Sequence, residues 1–329
     1  MLEHGGNLLA AAKRYGIPPA DWLDLSTGIN PLGWPVPEIP AAIWRRLPEE
    51  SDGLIDAAAA YYGTPHLIAV AGSQAAIQLL PALRATSRVG ILVPGYGEHA
   101  HAWTRHAHQV IELDAQGIDA TLDTLDVLVL CNPNNPTACC IPPATLLDWR
   151  QRLAARGGWL VVDEAFADAE PAPGIVSHAG EAGLVVLRSL GKFFGLAGIR
   201  VGFAAAWPAL LEQMQEQLGP WSINGPARWI AQHALQDAAW QAATRQRLKR
   251  DSTRLAALLA SNNLSPAGST ALFQWVRTGH AAALHDALAR QGILTRLFAT
   301  PSSLRFGLPG TEAEWQRLTL VLTNLRGMK

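Results

Sequence analysis

Lys192 stands in Ser189-Leu190-Gly191-Lys192-Phe193-Phe194-Gly195-Leu196-Ala197-Gly198-Ile199-Arg200, an apolar, glycine-rich stretch that follows a β-branched run. Burial disfavours the charged form of an amine, so a lysine in this setting suits nucleophilic attack on a carbonyl and a Schiff base. The stretch by itself fits equally well a lysine whose stem covers apolar surface while its head reaches water. A phosphate-binding P-loop is excluded, because it puts Gly five residues before Gly191 and Ser or Thr after the lysine, and Val186 and Phe193 occupy those places. Asp163 and Glu164 end a second apolar run, Trp159-Leu160-Val161-Val162. Carboxylates at the carboxyl edge of a sheet sit where α/β folds bind ligands, and an acid there wants a cation such as a protonated ring nitrogen. A magnesium site of the Walker type would need the P-loop already excluded.

Two further segments carry polar groups at strand ends. In Cys131-Asn132-Pro133-Asn134-Asn135-Pro136-Thr137 the prolines hold Asn135 in a turn where its amide can face a hydroxyl or a carboxylate, although alone this is only a turn. Ala71-Gly72-Ser73-Gln74 is a small-residue turn from strand to helix, whose unbonded N–H groups suit a phosphate. His99, His101, His106 and His108 lie beside Glu98 at spacings of two, five and two, whereas helical metal ligands fall four apart on one face. They are expected to form a solvated histidine-rich helix, and no metal is expected.

These residues need a scaffold that brings strand ends together. Short β-branched runs at Leu67 to Val70, Val89 to Val93, Val127 to Leu130, Trp159 to Val162, Val185 to Leu187 and Arg200 to Ala204 alternate with helical patterns at Ser73 to Leu83, Glu98 to Ala107 and Pro142 to Arg156. That alternation predicts a mostly parallel, doubly wound α/β sheet. Before it, Ser26 to Pro37 is rich in turn residues and reads as an irregular arm; after it, Ala227 to about Ala260 is strongly helical and leads past Pro266 and Gly268 to short mixed elements. An arm over 1–29, a large domain over 30–240 and a small domain over 241–329 are expected.

Composition sets outer bounds. A 329-residue chain that is 49% hydrophobic and 16% charged has the material for two packed domains, so disorder is excluded. A formal net charge of −1 offers no broad basic field for nucleic acid or anionic lipid. The chain opens with no basic segment leading into an apolar one and holds no stretch of membrane-spanning length, so a soluble cytoplasmic protein is expected. Cys131, Cys139 and Cys140 are too few and too close for a disulfide framework or a zinc motif, and are expected to be small buried hydrophobes. The tryptophans form no repeat and are read as core and interface packing.

Taken in order, these motifs resemble the fold-type I pyridoxal-phosphate enzymes, specifically the class I/II aminotransferase superfamily. There an Asn-Pro-x-Asn-Pro-Thr turn, a strand-ending Asp and a Ser-x-x-Lys with Arg eight residues later recur in this order, matched here by Asn135, Asp163, Ser189, Lys192 and Arg200. The likeness spans nearly the whole chain and implies a large domain with a mostly parallel sheet, a smaller α+β domain and pyridoxal 5'-phosphate as cofactor. It also implies that Lys192 holds the cofactor as a Schiff base, Asp163 pairs its ring nitrogen and Asn135 bonds its ring hydroxyl. Tyr96 would stack on the ring, while Ser189, Arg200 and the backbone of Gly72, Ser73 and Gln74 would hold the phosphate. Two positions depart from the pattern: Phe166 stands where Tyr is frequent, removing one donor to the ring hydroxyl, and Ala138 stands where Gly usually follows the Thr.

Within the superfamily, His4-Gly5-Gly6-Asn7 and Leu25-Ser26-Thr27-Gly28-Ile29-Asn30-Pro31-Leu32-Gly33 resemble the branch that decarboxylates L-threonine O-3-phosphate for the cobalamin side chain. The neighbouring branch, which transaminates histidinol phosphate, shows an Asn-Glu-Asn-Pro arm, and Ile29 here replaces that Glu. A substrate with a carboxylate and a phosphate needs at least two cationic or N–H-rich subsites. The resemblance assigns the carboxylate to Arg305 and the phosphate side to Arg296, His4, Gly5 and Asn30, with Asn135 also against the substrate. It further implies a homodimer. A non-catalytic pyridoxal-phosphate-binding regulator is the alternative of another class, and the near-zero charge argues against its DNA contact.

Overall fold

Apolar β-branched runs bounded by Gly, Pro and Asn become strands because a helix-covered parallel sheet buries them on both faces. The computed structural model describes residues 4–170 and 174–326, so the first three residues of the expected arm lie outside the described residues. The chain forms two compact units. One is Trp34–Asn135 with Cys139–Ala242; the other gathers Pro136–Ala138 with the chain up to Gly33 and from Ala243 onward.

In the larger unit, β1 (Leu67–Val70), β2 (Arg88–Leu92), β3 (Gln109–Leu113), β4 (Val127–Cys131), β5 (Trp159–Asp163), β6 (Leu184–Ser189) and β7 (Gly202–Ala205) make one sheet in the order β1-β7-β6-β5-β4-β2-β3. β7 runs antiparallel to both neighbours and the other pairings are parallel. Val127, Val129, Val161, Val185 and Leu187 are fully buried in its core with Ile77 and Leu80, each contributing about 1.5–3 kcal/mol. Helices α1 (Ser73–Leu79), α2 (Gly97–Arg105) and α3 (Pro143–Ala154) lie between strands in sequence, and α3 opens on a proline whose fixed φ suits a first turn.

This topology decides where the chemistry goes. β1, β2, β4, β5 and β6 all point one way, so their carboxyl ends share an edge, and β7, running oppositely, starts there. Gly72, Tyr96, Asn135, Asp163, Ser189, Lys192 and Arg200 therefore arrive together. The last strand starts at Gly202, not at Arg200, because Arg200 takes a left-handed conformation, φ 55°, that turns the chain before the ladder begins.

The smaller unit holds an antiparallel sheet in the order Arg296–Phe298, Ser303–Gly307, Phe273–Arg277, Gly268–Ser269. Helices Ala281–Arg290 and Glu312–Arg326 belong to the same unit. Its amino-terminal helix Leu8–Tyr15 ends at Gly16 in the left-handed region, and Ala11, Ala12 and Trp22 pack on Ala289 and Leu294. Leu23–Asp24 adds a parallel pairing to Ile293–Leu294, which ties the amino-terminal segment into this unit. Among the described residues no helix is long and apolar enough to cross a membrane.

Candidate active site

At one end of the shared edge the backbone builds an anion cradle. Gly72 sits at φ 70°, ψ 156° before α1 begins at Ser73, and a Cβ on Gly72 would lie 2.5 Å from Arg200 Nη2. A Cβ on Gly202 would lie 2.6 Å from the Ser73 nitrogen. Two absent side chains thus let a guanidinium and the first N–H of a helix approach each other, an arrangement that favours an oxyanion. Ser189 Oγ accepts the Gly191 N–H at 3.2 Å, and Arg200 donates from Nη1 to the Ala197 carbonyl at 3.1 Å, which aims the exposed guanidinium.

The other end is built on Asp163, buried where β5 stops. Its Oδ1 accepts the Ala165 N–H at 3.0 Å, and His99 Nε2 lies 3.0 Å from Oδ2. His99 is buried, which corrects the expectation of a solvated histidine helix. His108 is buried too and lies beyond α2, accepting the Ser87 N–H at Nδ1 and donating from Nε2 to the Pro81 carbonyl, whereas His101 and His106 are exposed. Tyr96 donates to the Gln74 amide oxygen, Oε1, at 3.3 Å, and the Gln74 amide donates to Glu98 at 2.8 Å. Burial, reinforced by Glu98 and Asp163, pushes the Tyr96 phenol up to about 12, so it stays protonated at neutral pH.

A cavity of about 150 Å³ joins the two ends, lined by Ser73, Gln74, Tyr96, Cys131, Asn135, Asp163, Phe166, Ser189, Lys192 and Arg200 among others. Every cofactor residue expected in the large domain is in this lining or, for Gly72, beside it. Phe166 is buried with its ring centroid 5.4 Å from Lys192 Nζ, so the departure from Tyr leaves an aromatic face against the lysine. The loop with Asn135 is closed on itself: the Asn132 amide donates to the Ile141 carbonyl and accepts its N–H, and Asn134 donates to the Cys139 and Pro94 carbonyls. Ala138 holds φ 60° there, the left-handed conformation that explains why glycine suits this position. Cys131 is buried as expected, but Cys139 and Cys140 are exposed on this loop.

Of the residues expected to bind substrate, all but Asn135 fall in the smaller unit. Arg296 and Arg305 are cross-strand partners. Arg305 is buried and donates to the Ser26 carbonyl at 2.6 Å. Burial, then repulsion from Arg296 only partly offset by Asp24, pulls its guanidinium down to about 10, a cationic pair that an anion would relieve. Gly5 lies so close to the Ser26 carbonyl that any Cβ would collide with it, and the Gly6 N–H donates to Ser26 Oγ at 2.7 Å. His4 is exposed. Asn30 is buried, its Oδ1 accepting from Arg247 at 2.6 Å and from the Leu32 N–H at 3.1 Å. Arg247 escapes a reading from sequence because nothing in an Ala/Leu/Arg/Gln-rich helix marks one arginine.

A buried charge cluster adjoins the cavity-lining Asp163 and Ser189 and left no mark in the sequence. Arg188 Nη2 lies 2.7 Å from Glu164 Oε2 and Nη1 lies 2.9 Å from Asp168 Oδ1, all three residues being buried. Glu164 Oε1 also accepts the Ile175 N–H at 2.7 Å. Burial holds the Glu164 carboxyl above its ordinary range despite Arg188. Glu164 follows Asp163 and Arg188 precedes Ser189, so the cluster clamps the two strands that present those residues.

The chain matches the family described as Aminotransferase class I and II over residues 48–321. It is 54% identical over 326 residues to a threonine-phosphate decarboxylase of Pseudomonas aeruginosa, covering 99% of this chain and 98% of that protein. It is 42% identical over 337 residues to a threonine-phosphate decarboxylase of a Sinorhizobium species, covering 98% of each. The solved structure of a histidinol-phosphate aminotransferase from Clostridium acetobutylicum superposes with a TM-score of 0.82 over 93% of this chain and 100% of that one, at 22% identity, a likeness of fold. Matching that family over residues 48–321, well over half of its length, this chain belongs to the class I and II aminotransferase family.

Proposed function

We propose that this chain is a pyridoxal-phosphate-dependent decarboxylase that converts L-threonine O-3-phosphate to (R)-1-aminopropan-2-ol O-phosphate, a step toward the cobalamin side chain. The end-to-end 54% identity to a protein named for that reaction carries the reading. The cavity's donors fit the cofactor: an anion cradle at Gly72, Ser73 and Arg200, a buried carboxylate at Asp163 and an amine at Lys192. When bound, pyridoxal phosphate supplies an electron sink for the pair left at Cα.

The chain's own residues do the rest. Lys192 binds the cofactor and then returns a proton to Cα. Asp163 keeps a proton on the ring nitrogen, and His99 braces its second oxygen. Asn135 bonds the ring hydroxyl and faces the substrate, Tyr96 offers an aromatic face, and Ser189 and Gln74 complete the phosphate grip. Arg305 binds the substrate carboxylate; Arg296, His4, Gly5 and Asn30 bind its phosphate. Gripping both anions orients the Cα–carboxylate bond, so that bond breaks and not Cα–H.

We retain the division into an arm over 1–29, a large domain over 30–240 and a small domain over 241–329, and a cytoplasmic setting. A homodimer is proposed because the larger unit exposes Val36, Trp44, Leu47 and Trp221, an apolar set suited to a partner copy. The test incubates the holoprotein with L-threonine O-3-phosphate and, separately, with histidinol phosphate plus 2-oxoglutarate. Consumption of the first alone is expected; consumption of the second alone makes the protein a histidinol-phosphate aminotransferase and overturns the reading.

A further inference from the structure

His99, Cys131 and Asp163 come from α2 and from the ends of β4 and β5, yet their side chains meet. A His99 nitrogen, the Cys131 sulfur and an Asp163 oxygen lie within 4.8 Å of one another, and all three residues are buried. The parallel register sets Cys131 directly against Asp163, so both side chains leave the sheet on the same side, and α2 lays His99 beside them. Burial, and then the charge of Asp163, push the Cys131 thiol well above its ordinary range although its sulfur accepts the backbone N–H groups of Tyr96 and Asn135, so the thiol keeps its proton until a cation takes its place. Imidazole, thiolate and carboxylate together are ligands for a borderline-soft divalent ion. Zinc bonds sulfur at about 2.3 Å and nitrogen or oxygen at about 2.0–2.2 Å, which spaces tetrahedral donors roughly 3.3–3.6 Å apart. Side-chain movements of about an ångström close the observed cluster to that spacing. Histidine spacing along α2 could not reveal it, since the other two ligands lie on different strands.

We propose that His99, Cys131 and Asp163 form a three-ligand site for Zn²⁺ or a similar ion when no cofactor is bound, and that cation and cofactor exclude each other because both require Asp163. The metal–sulfur bond forms as the Cys131 proton passes to solvent, and the fourth position opens on the cavity, where water can fill it. The exclusion rests on the assignment of Asp163 to the cofactor; the cation site stands without it. The consequence is a protein whose uptake of pyridoxal phosphate is slowed by thiophilic divalent ions and whose loaded form ignores them.

The full chain, stripped of cofactor with hydroxylamine and kept reduced with a phosphine, is titrated with CoCl₂. One equivalent is expected to bind, with near-ultraviolet cobalt–thiolate absorbance, and ZnCl₂ should abolish that absorbance by displacement. Cys131→Ser should remove it, His99→Gln should weaken Co²⁺ binding at least tenfold, and the exposed pair changed together, Cys139→Ser with Cys140→Ser, should keep it. Zinc added before pyridoxal phosphate should slow the rise of cofactor absorbance, and that slowing should vanish in His99→Gln. No uptake by the stripped wild type, or a band that survives Cys131→Ser, overturns the site. A full-strength cobalt band in the loaded protein overturns the exclusion; if borohydride then fixes cofactor on Lys192 in that same sample, the fault lies in Asp163's assignment and not in the cofactor reading.

Discussion

Replacing Arg188 by Met removes the cation from between Glu164 and Asp168 while nearly keeping its volume. In the native protein two charge-assisted contacts, 2.7 and 2.9 Å long, hold the two carboxylates in a buried setting, and the guanidinium lies 5.0 Å from the Tyr62 ring centroid. Breaking a buried pair from one side leaves uncompensated charge and costs about 3–5 kcal/mol. With about 2 cal/mol/K of unfolding entropy per residue over 329 residues, a loss of ~4 kcal/mol lowers Tm by about 6 °C if the chain unfolds as one unit. The pH dependence gives the signature. Carboxylates stranded by the change take folded-state pKa values above their unfolded ones, so their contribution is intact below the ordinary range near ~4 and is lost as pH rises through the folded values. Thermal melts followed by far-ultraviolet circular dichroism should therefore show a larger deficit at pH 8 than at pH 5. Adding Glu164→Gln and Asp168→Asn should recover most of it, because a neutral cluster carries no stranded charge and Gln can still accept the Ile175 N–H. A deficit under 1 °C, or one equal at both pH values, would mean that the substitution strands no buried charge.

Lys192→Ala should abolish the visible absorbance gained on adding pyridoxal phosphate and nearly all turnover; borohydride fixing the cofactor of the wild type on another lysine, read by peptide mapping, would reassign the role. Tyr96 titrates at about 12 in the folded protein against ~10 unfolded. Its share of stability is thus intact below about pH 10 and lost toward pH 12, by at most ~2–3 kcal/mol and less for a partly solvated ring. Tyr96→Phe should flatten the fall in Tm between pH 9 and 11, and an unchanged slope contradicts this. Arg305→Ala should lower kcat/KM for L-threonine O-3-phosphate by the ~2–4 kcal/mol of a lost charge-assisted contact; a change within twofold would remove Arg305 from the substrate site.

The large sheet was legible because parallel strands buried on both faces appear in sequence as uninterrupted apolar runs. β3 was not: Gln109–Leu113 is an edge strand with Gln109 and Glu112 exposed, so it shows no such run. The polar residues lining the cavity were legible because each lies at, or within four residues of, a strand end, and strand ends leave turn residues in the sequence. His99 was hidden, since its burial comes from packing against Asp163, a residue 64 positions away. Glu164 read as a second acid at a strand end, and Arg188, between the run Val185 to Leu187 and Ser189, drew no reading; only the pairing of β5 with β6 shows that they neutralise each other. Cys139 and Cys140 were misplaced because composition favours buried cysteines, while their exposure follows from a loop closed by Asn132 and Asn134.

In the proposed reaction the bond broken at Cα is the one to the carboxylate. Holoprotein given L-threonine O-3-phosphate labelled in its carboxyl carbon, in D₂O and without any keto acid, tests it in one vessel. Labelled carbon dioxide and aminopropanol phosphate are expected in equal amounts, with one deuterium on the carbon that lost the carboxylate. No turnover in that vessel, with label retained in the organic product of a parallel sample given 2-oxoglutarate, would contradict it.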